Sequence, residues 1–294
     1  MSLVLKTIIA SMKAGTPLLL ATLGEIIAEK GGVINLGLEG LMLVGSLTGF
    51  SVSHHTNNPV LGLFAAIIAG GALSCVHAFL TITLRCNQIV SGLALTIFGS
   101  GLTSFFGRNM VGNTAPGFFP ILFDLDVIVF IGIILVVVVW FTLSHTRWGL
   151  NLRSVGENPV AADAMGLNVF RIRYAGVIVG GMLSGMSGAY LSLAYTQMWV
   201  ENMVAGKGWI AIALVIFAVW DPLKALLGSY LFGAVMATIL RIQAIGSKAP
   251  IYILNMAPYI VTILVLVIVT AFEGRRKKMG ALQALGVPFA KEKG

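Results

Sequence analysis

Charge is what this sequence has least of. Charged residues make up 10% of its 294 positions, against about 25% in soluble domains. So few cannot coat a globular surface, and a water-soluble fold is excluded. Cysteine is nearly absent, with only Cys75 and Cys86. On one continuous helix their separation is roughly 16 Å, beyond the reach of a disulfide. The four histidines form no H-E-x-x-H pair and the cysteines no metal quartet, which argues against a zinc centre and leaves the metal assignment at none. A G-x-x-x-x-G-K-[ST] phosphate loop is missing too: Gly206-Lys207-Gly208 lacks the earlier glycine and the following hydroxyl, so the chain is not itself an ATP hydrolase. Ser184, between Gly181 and Gly185, is out of register for a G-x-S-x-G elbow. No catalytic residue emerges, and the expectation is a protein that is not an enzyme.

What the sequence has is apolar length and glycine. Hydrophobic residues reach 57%, and there are 35 glycines; small residues let membrane helices approach closely where no hydrophobic force drives them together. Crossing a hydrocarbon core of about 30 Å takes about 20 residues. Apolar segments that fit fall at 3–23, 38–55, 59–84, 88–107, 126–145, 174–196, 205–220, 222–243 and 251–272. The expected fold is an all-α integral membrane protein, a polytopic bundle of about nine (eight to ten) transmembrane helices in a single domain over 1–294. Segment 205–220 is short and ends at Trp220-Asp221-Pro222, so with its successor it reads as a tight hairpin or a partly re-entrant pair. The first segment has no small-x-small cleavage site before Glu25 and reads as a retained helix.

The net charge of +8 is not a nucleic-acid signature, because the basic residues cluster between apolar runs. The loop 147–173 carries Arg147, Arg153, Arg171 and Arg173, and the tail 273–294 carries Arg275, Arg276, Lys277, Lys278, Lys291 and Lys293. Short basic loops stay in the cytoplasm, so both segments, and with the tail the C-terminus, are expected there. Arg241 and Lys248 then fall outside, a mild violation. Ionisable residues are nearly absent from the spans: Glu25, Glu29 and Glu39 read as a solvated or paired cytoplasmic boundary. The permeant species is then neutral or zwitterionic, and energy must come from elsewhere.

Two patterns carry organisation. Gly176, Gly180, Ser184 and Gly188 recur every fourth residue, a row that suits intrachain helix packing or a subunit interface. In the cytoplasmic loop, residues 156–166 read as a turn, then Asn158 or Pro159 opening a short helix, then a stop at Gly166. Such a knob is shaped to fill a groove on a soluble partner; the competing reading is a solvated connector.

The stretch Asn35-Leu-Gly37-Leu-Glu39-Gly40-Leu-Met42, with Gly45, and the loop Gly156-Glu-Asn-Pro-Val-Ala-Ala-Asp-Ala-Met-Gly166 resemble membrane permeases of bacterial ABC importers. The branch is that of sugar, branched-chain amino acid and nucleoside systems, and Asn87-Gln88-Ile-Val-Ser91-Gly92 is most similar to nucleoside permeases. The resemblance implies a type II importer-like permease of the inner membrane, with a coupling helix that touches the ATPase through Glu157, Asn158, Pro159, Ala161, Ala162 and Gly166. It implies cytoplasmic ATPase subunits that hold ATP and Mg, a second related permease in a heterodimer, and an extracellular substrate-binding lipoprotein. No cofactor is expected on this chain, and membrane lipid is its surroundings. In this picture Asn87, Gln88, Ser91 and Thr96 are candidates for the translocation path, capping and interhelical hydrogen bonds being the alternative. Nucleosides are the favoured permeant, with simple sugars next; an ion-coupled secondary transporter is the rival from another class.

Overall fold

The structure is a computed structural model, and it describes residues 3–244 and 282–290, with 256–258, 260–264 and 267 between them. Ten α-helices account for most of this length: α1 (Leu3–Lys30), α2 (Leu38–Thr56), α3 (Pro59–Ala78), α4 (Gln88–Gly107), α5 (Val127–His145), α6 (Arg147–Glu157), α7 (Pro159–Ala164), α8 (Val169–Tyr190), α9 (Lys207–Ala218) and α10 (Pro222–Ala244). α3 and α8 each continue through a five-residue π turn, Phe79–Thr83 and Leu191–Tyr195. A small hairpin of β1 (Pro120–Leu122) and β2 (Leu125–Asp126) leads into α5.

Helix starts follow local chemistry. The side chains of Asn58, Asn87, Asp126, Thr146, Asn158 and Asn168 each accept hydrogen bonds from main-chain N–H groups of the turn they open, meeting donors that the first helical turn leaves unpaired. Pro59 and Pro159 occupy the first helical turn, where a missing N–H costs nothing.

Six helices among the described residues are long and apolar enough to cross a membrane, and the expected count of nine is not confirmed. α9 has only 12 residues, about 18 Å of rise, and α2 falls short in apolarity rather than length. The last expected span, 251–272, lies largely outside the described residues.

α8 is the central post, packed on α1, α2 and α3. Its glycine row is intrachain packing: a methyl added at Gly180 would stand 2.6 Å from the Gly24 carbonyl oxygen of α1, and one at Gly188 would collide with the Met42 carbonyl of α2. Gly181 and Gly185 meet Ser74, Gly70 and Ala66 of α3 in the same way. Ser184 turns its hydroxyl back onto Gly180 O, at 2.9 Å. The outward faces of α3, α4, α5 and α10 are apolar, with Ile68, Ile97, Ile134 and Leu227 all more than half exposed, as a lipid-facing or subunit-facing surface requires.

Candidate functional site

Two places in the bundle concentrate polar structure. The first is the connection from α5 to α8. It is not a loose loop but two helices, α6 and α7. α6 is amphipathic and buries Leu152 and Val155. The α7 knob that follows is fixed at both ends: Asn158 Oδ1 accepts from Ala161 N at 3.0 Å, and Gly166, at φ +85°, ends the turn in a conformation open to glycine without strain. Ala162 is buried with Val155, Val169 and Phe289, so it anchors the knob instead of facing outward. Val160 and Met165 face out, 59% and 83% exposed, and Glu157, Asn158, Ala161 and Gly166 are exposed around them, with Pro159 half-buried. The knob therefore offers a small apolar tip with a polar rim.

The C-terminal segment 282–290 packs beneath it. Ala284 N donates to Gly156 O and Gly286 N to Gly32 O, each at 3.2 Å, Arg173 Nη1 donates to Val287 O at 3.1 Å, and the Phe289 ring lies 5.6 Å from that of Phe170. The segment and the knob thus lie on one side of the bundle.

The second place is a pair of breaks inside the bundle. Residues 31–33 close α1 with turn hydrogen bonds to Ala28 O and Glu29 O, the chain then runs non-helically to the start of α2, and such backbone in a membrane protein is tolerated only where protein satisfies it. Here it does. Ile34 N donates to Gln88 Oε1 at 2.8 Å, Asn35 N to Glu25 Oε1 at 2.8 Å, and Gly37 N to Asn35 Oδ1 at 2.9 Å. Thr96 Oγ1 donates to Leu36 O at 3.0 Å. His77 Nε2 reaches Ile34 O at 3.0 Å, and its Nδ1 meets Ser91 Oγ at 3.1 Å; a carbonyl can only accept, so Nε2 carries the proton and Ser91 donates to Nδ1. Three of the four path candidates therefore converge on residues 34–36, Ser91 through His77. The fourth, Asn87, caps α4 through Ile89 N and Val90 N. These contacts are capping and interhelical hydrogen bonds of the kind the alternative reading names, and Gln88 Nε2 is left without a partner.

The second break precedes α9. Gly206 and Gly208 donate their N–H groups to Glu39 Oε1 and Oε2, both at 2.7 Å, so a carboxylate from the start of α2 caps the positive end of α9. At the other end Val219 and Trp220 both adopt left-handed conformations, and Trp220 Nε1 donates to Glu29 Oε2 at 2.5 Å. α9 thus runs from Glu39 at one end to Glu29 at the other, too short for a full span. The shortness expected of 205–220 is thus seen, and α10 follows directly at Pro222.

Of the two readings of the three acids, solvated or paired, the pairing one holds. Glu25, Glu29 and Glu39 are 1%, 4% and 6% exposed, inside the bundle instead of at its solvated edge. The reason is visible in their partners: Glu25 and Glu39 accept from main-chain N–H groups that the broken backbone and the α9 turn leave over, and Glu29 accepts from the Trp220 indole. The spacing of Glu25 and Glu29, one helical turn apart, was the only local signal.

Comparison with known proteins puts a family on this geometry. The chain is 44% identical over 87% of its length, and 89% of the relative's, to a putative glucose ABC transporter permease, TsgC13, of Haloferax volcanii. It is 35% identical to the guanosine ABC transporter permease NupQ of Bacillus subtilis, over 97% of this chain and 96% of that one. The nucleoside ABC transporter permease NupC of Lactococcus lactis is equally similar at 35%, over 98% of each chain. Haloferax volcanii and Bacillus subtilis each hold a second, more distant relative, at 24% and 22% identity. The family model described as branched-chain amino acid transport system, permease component, matches residues 7–270, and the chain belongs to that family of multi-pass membrane permeases.

Proposed function

We propose that this chain is a permease subunit of an ATP-binding cassette importer for nucleosides, driven by separate ATPase subunits through the α7 knob. The observation that carries the reading is the knob itself: a capped, rigid turn outside the spans that exposes Val160 and Met165 where a soluble protein would bury them. Glu157, Asn158, Pro159, Ala161 and Gly166 frame the contact, and Ala162 holds it from within. The side bearing the knob and the 282–290 segment is the cytoplasmic face, by the basic residues around it. ATP and Mg bind the partner subunits, and no step of hydrolysis falls to this chain. A second related permease completes the path in a heterodimer, supported by the paired relatives in two organisms, and an extracellular binding lipoprotein delivers the permeant. Binding of ATP acts on transport through its different affinity for the two arrangements of the assembly.

The nucleoside assignment is supported by two full-length relatives named for guanosine and nucleosides. A simple sugar is the second reading, favoured by the 44% identity to the putative glucose permease. The deciding experiment is purification of the tagged chain with its partners, followed by assay of vanadate-sensitive ATPase activity with nucleosides and with glucose. Stimulation by nucleosides supports the first reading and stimulation by glucose alone the second. Accumulation of solute by vesicles that hold this chain alone would refute both.

A further inference from the structure

Gln88 Oε1, Thr96 and, through His77, Ser91 of α4 hold the 34–36 segment, and a different part of the bundle also has polar atoms to spare. A cleft of about 430 Å³ lies where the π turn of α8, the start of α9, the end of α10 and Pro258 meet, lined by Tyr195, Lys207, Ile210, Met236, Ile239 and Gln243 among others. Its size falls within the roughly 300–1,000 Å³ of small-molecule sites, and a mostly apolar wall with a few polar groups is their usual character. Among the described residues neither the Tyr195 hydroxyl nor the Gln243 carboxamide has a hydrogen-bond partner. Lys207 Nζ gives hydrogen bonds to Val204 O at 3.0 Å and Met203 O at 3.4 Å, which leaves one of its three N–H groups. Tyr195 belongs to a π turn, a local irregularity that recurs at functional sites.

We propose that this cleft is a station on the permeant's route, and that it takes a neutral solute with one flat apolar face and a donor-and-acceptor edge, the chemistry of a nucleoside. The inference deepens the nucleoside reading and rests on it. The Tyr195 ring offers a stacking surface, and the Gln243 amide offers the donor and acceptor that a base edge requires. The free Lys207 N–H suits a ribose hydroxyl, while Met236 and Ile239 form the apolar wall. A simple sugar has no flat face for this arrangement.

The test uses the complete transporter in proteoliposomes, with Cys75→Ser and Cys86→Ser removing the native thiols and Met236→Cys placing one in the cleft. A small water-soluble thiosulfonate reagent is expected to label that cysteine, and guanosine present during ATP turnover is expected to slow labelling several-fold, with glucose without effect. In parallel, Gln243→Leu is expected to lower guanosine uptake about tenfold, the loss of roughly one hydrogen-bonded pair, with copurification of the ATPase unchanged. If the parent imports guanosine but labelling is absent or unaffected by it, the cleft is not a station and the transport reading stands. If the parent imports no nucleoside, the broader reading falls and this one with it. Protection by glucose in place of guanosine overturns the flat-face assignment.

Discussion

Charging the knob's tip should disconnect the permease from its motor without unfolding it. Val160 and Met165 are 59% and 83% exposed, so most of their apolar surface is free to be covered by a partner. Burying a Val or Met side chain is worth about 1.5–3 kcal/mol. Scaled by those exposures, the pair offers about 3 kcal/mol of docking energy, roughly a hundredfold in affinity. Val160→Asp with Met165→Asp removes that gain and adds the cost of desolvating two carboxylates. The assay is coexpression of the whole transporter with a tag on this chain, measuring permease in the membrane, ATPase copurified with it, and nucleoside uptake. The expected outcome is a parental amount of permease, loss of copurified ATPase and uptake at background. Ala162→Asp is the contrasting variant: its side chain would enter the cluster of Val155, Val169 and Phe289, so the amount of folded permease should fall. Parental uptake by the double variant would refute the docking argument. An Ala162→Asp permease that accumulates normally would show the orientation of α7 to be wrong.

Further outcomes follow from the same geometry. Gly166→Arg, at φ +85° with nothing within 4 Å of an added Cβ, should cost about 1–2 kcal/mol in stability yet abolish uptake, because the new side chain projects from the docking surface; uptake assay and membrane immunodetection separate the two effects. Glu39→Ala strips the acceptors from Gly206 and Gly208, and at about 1.5–3 kcal/mol for each hydrogen bond to a charged group it should lower the melting temperature in detergent by several degrees. Glu39→Gln should recover part of that loss, and an unchanged melt in the alanine variant would count against the capping role. Phe289→Ala, at about 3–5 kcal/mol for a buried aromatic, should loosen the knob, read as faster amide exchange across residues 159–167. Parental exchange there would show that the 282–290 segment does not support α7.

Much of the helical pattern was legible because its punctuation is chemical. Asn58-Pro59, Asn87-Gln88 and Asp221-Pro222 mark the starts of α3, α4 and α10, and segments 59–84, 88–107 and 222–243 differ from the observed helices by a residue or less when the π turn of α3 is included. α1 and α8 are longer than read, beginning or ending beyond Glu25, Glu29, Arg171 and Arg173. A charge is counted against a span only while its partner is unknown, and here the partners lie far off in sequence: Trp220 is 191 residues from Glu29, and Gly206 is 167 from Glu39. The same distance hid the task of Gln88, Ser91 and Thr96. Their polarity is plain in the sequence, but the backbone they hold at 34–36 is some 55–60 residues away. Asn158, Pro159 and Gly166 were legible as a capped turn, whereas the inward face of Ala162 depends on Phe289, over a hundred residues on.

Three buried acids in a transporter invite the reading of an ion-coupled carrier, and their hydrogen bonds decide what they can do. An ion site needs carboxylate oxygens free to ligate or to exchange protons with a path. Both oxygens of Glu39 are taken by main-chain N–H groups; one oxygen each of Glu25 and Glu29 is taken by Asn35 N and Trp220 Nε1, and the two carboxyl groups hydrogen-bond to each other. No group of three or more His, Cys, Asp or Glu side chains among the described residues could hold a metal ion. Glu39 and Glu25 therefore fasten discontinuous backbone and Glu29 is tied to Trp220 and Glu25, and transport should not depend on their charge. Glu25→Gln keeps an oxygen to accept from Asn35 N, so ATP-driven uptake by the reconstituted transporter should persist at a modestly lower melting temperature. Uptake by the parent should likewise be indifferent to a protonophore while ATP is held constant. If the protonophore collapses uptake, or if Glu25→Gln abolishes it without moving the melt, the acids lie on an ion path and the permease is not powered by ATP alone.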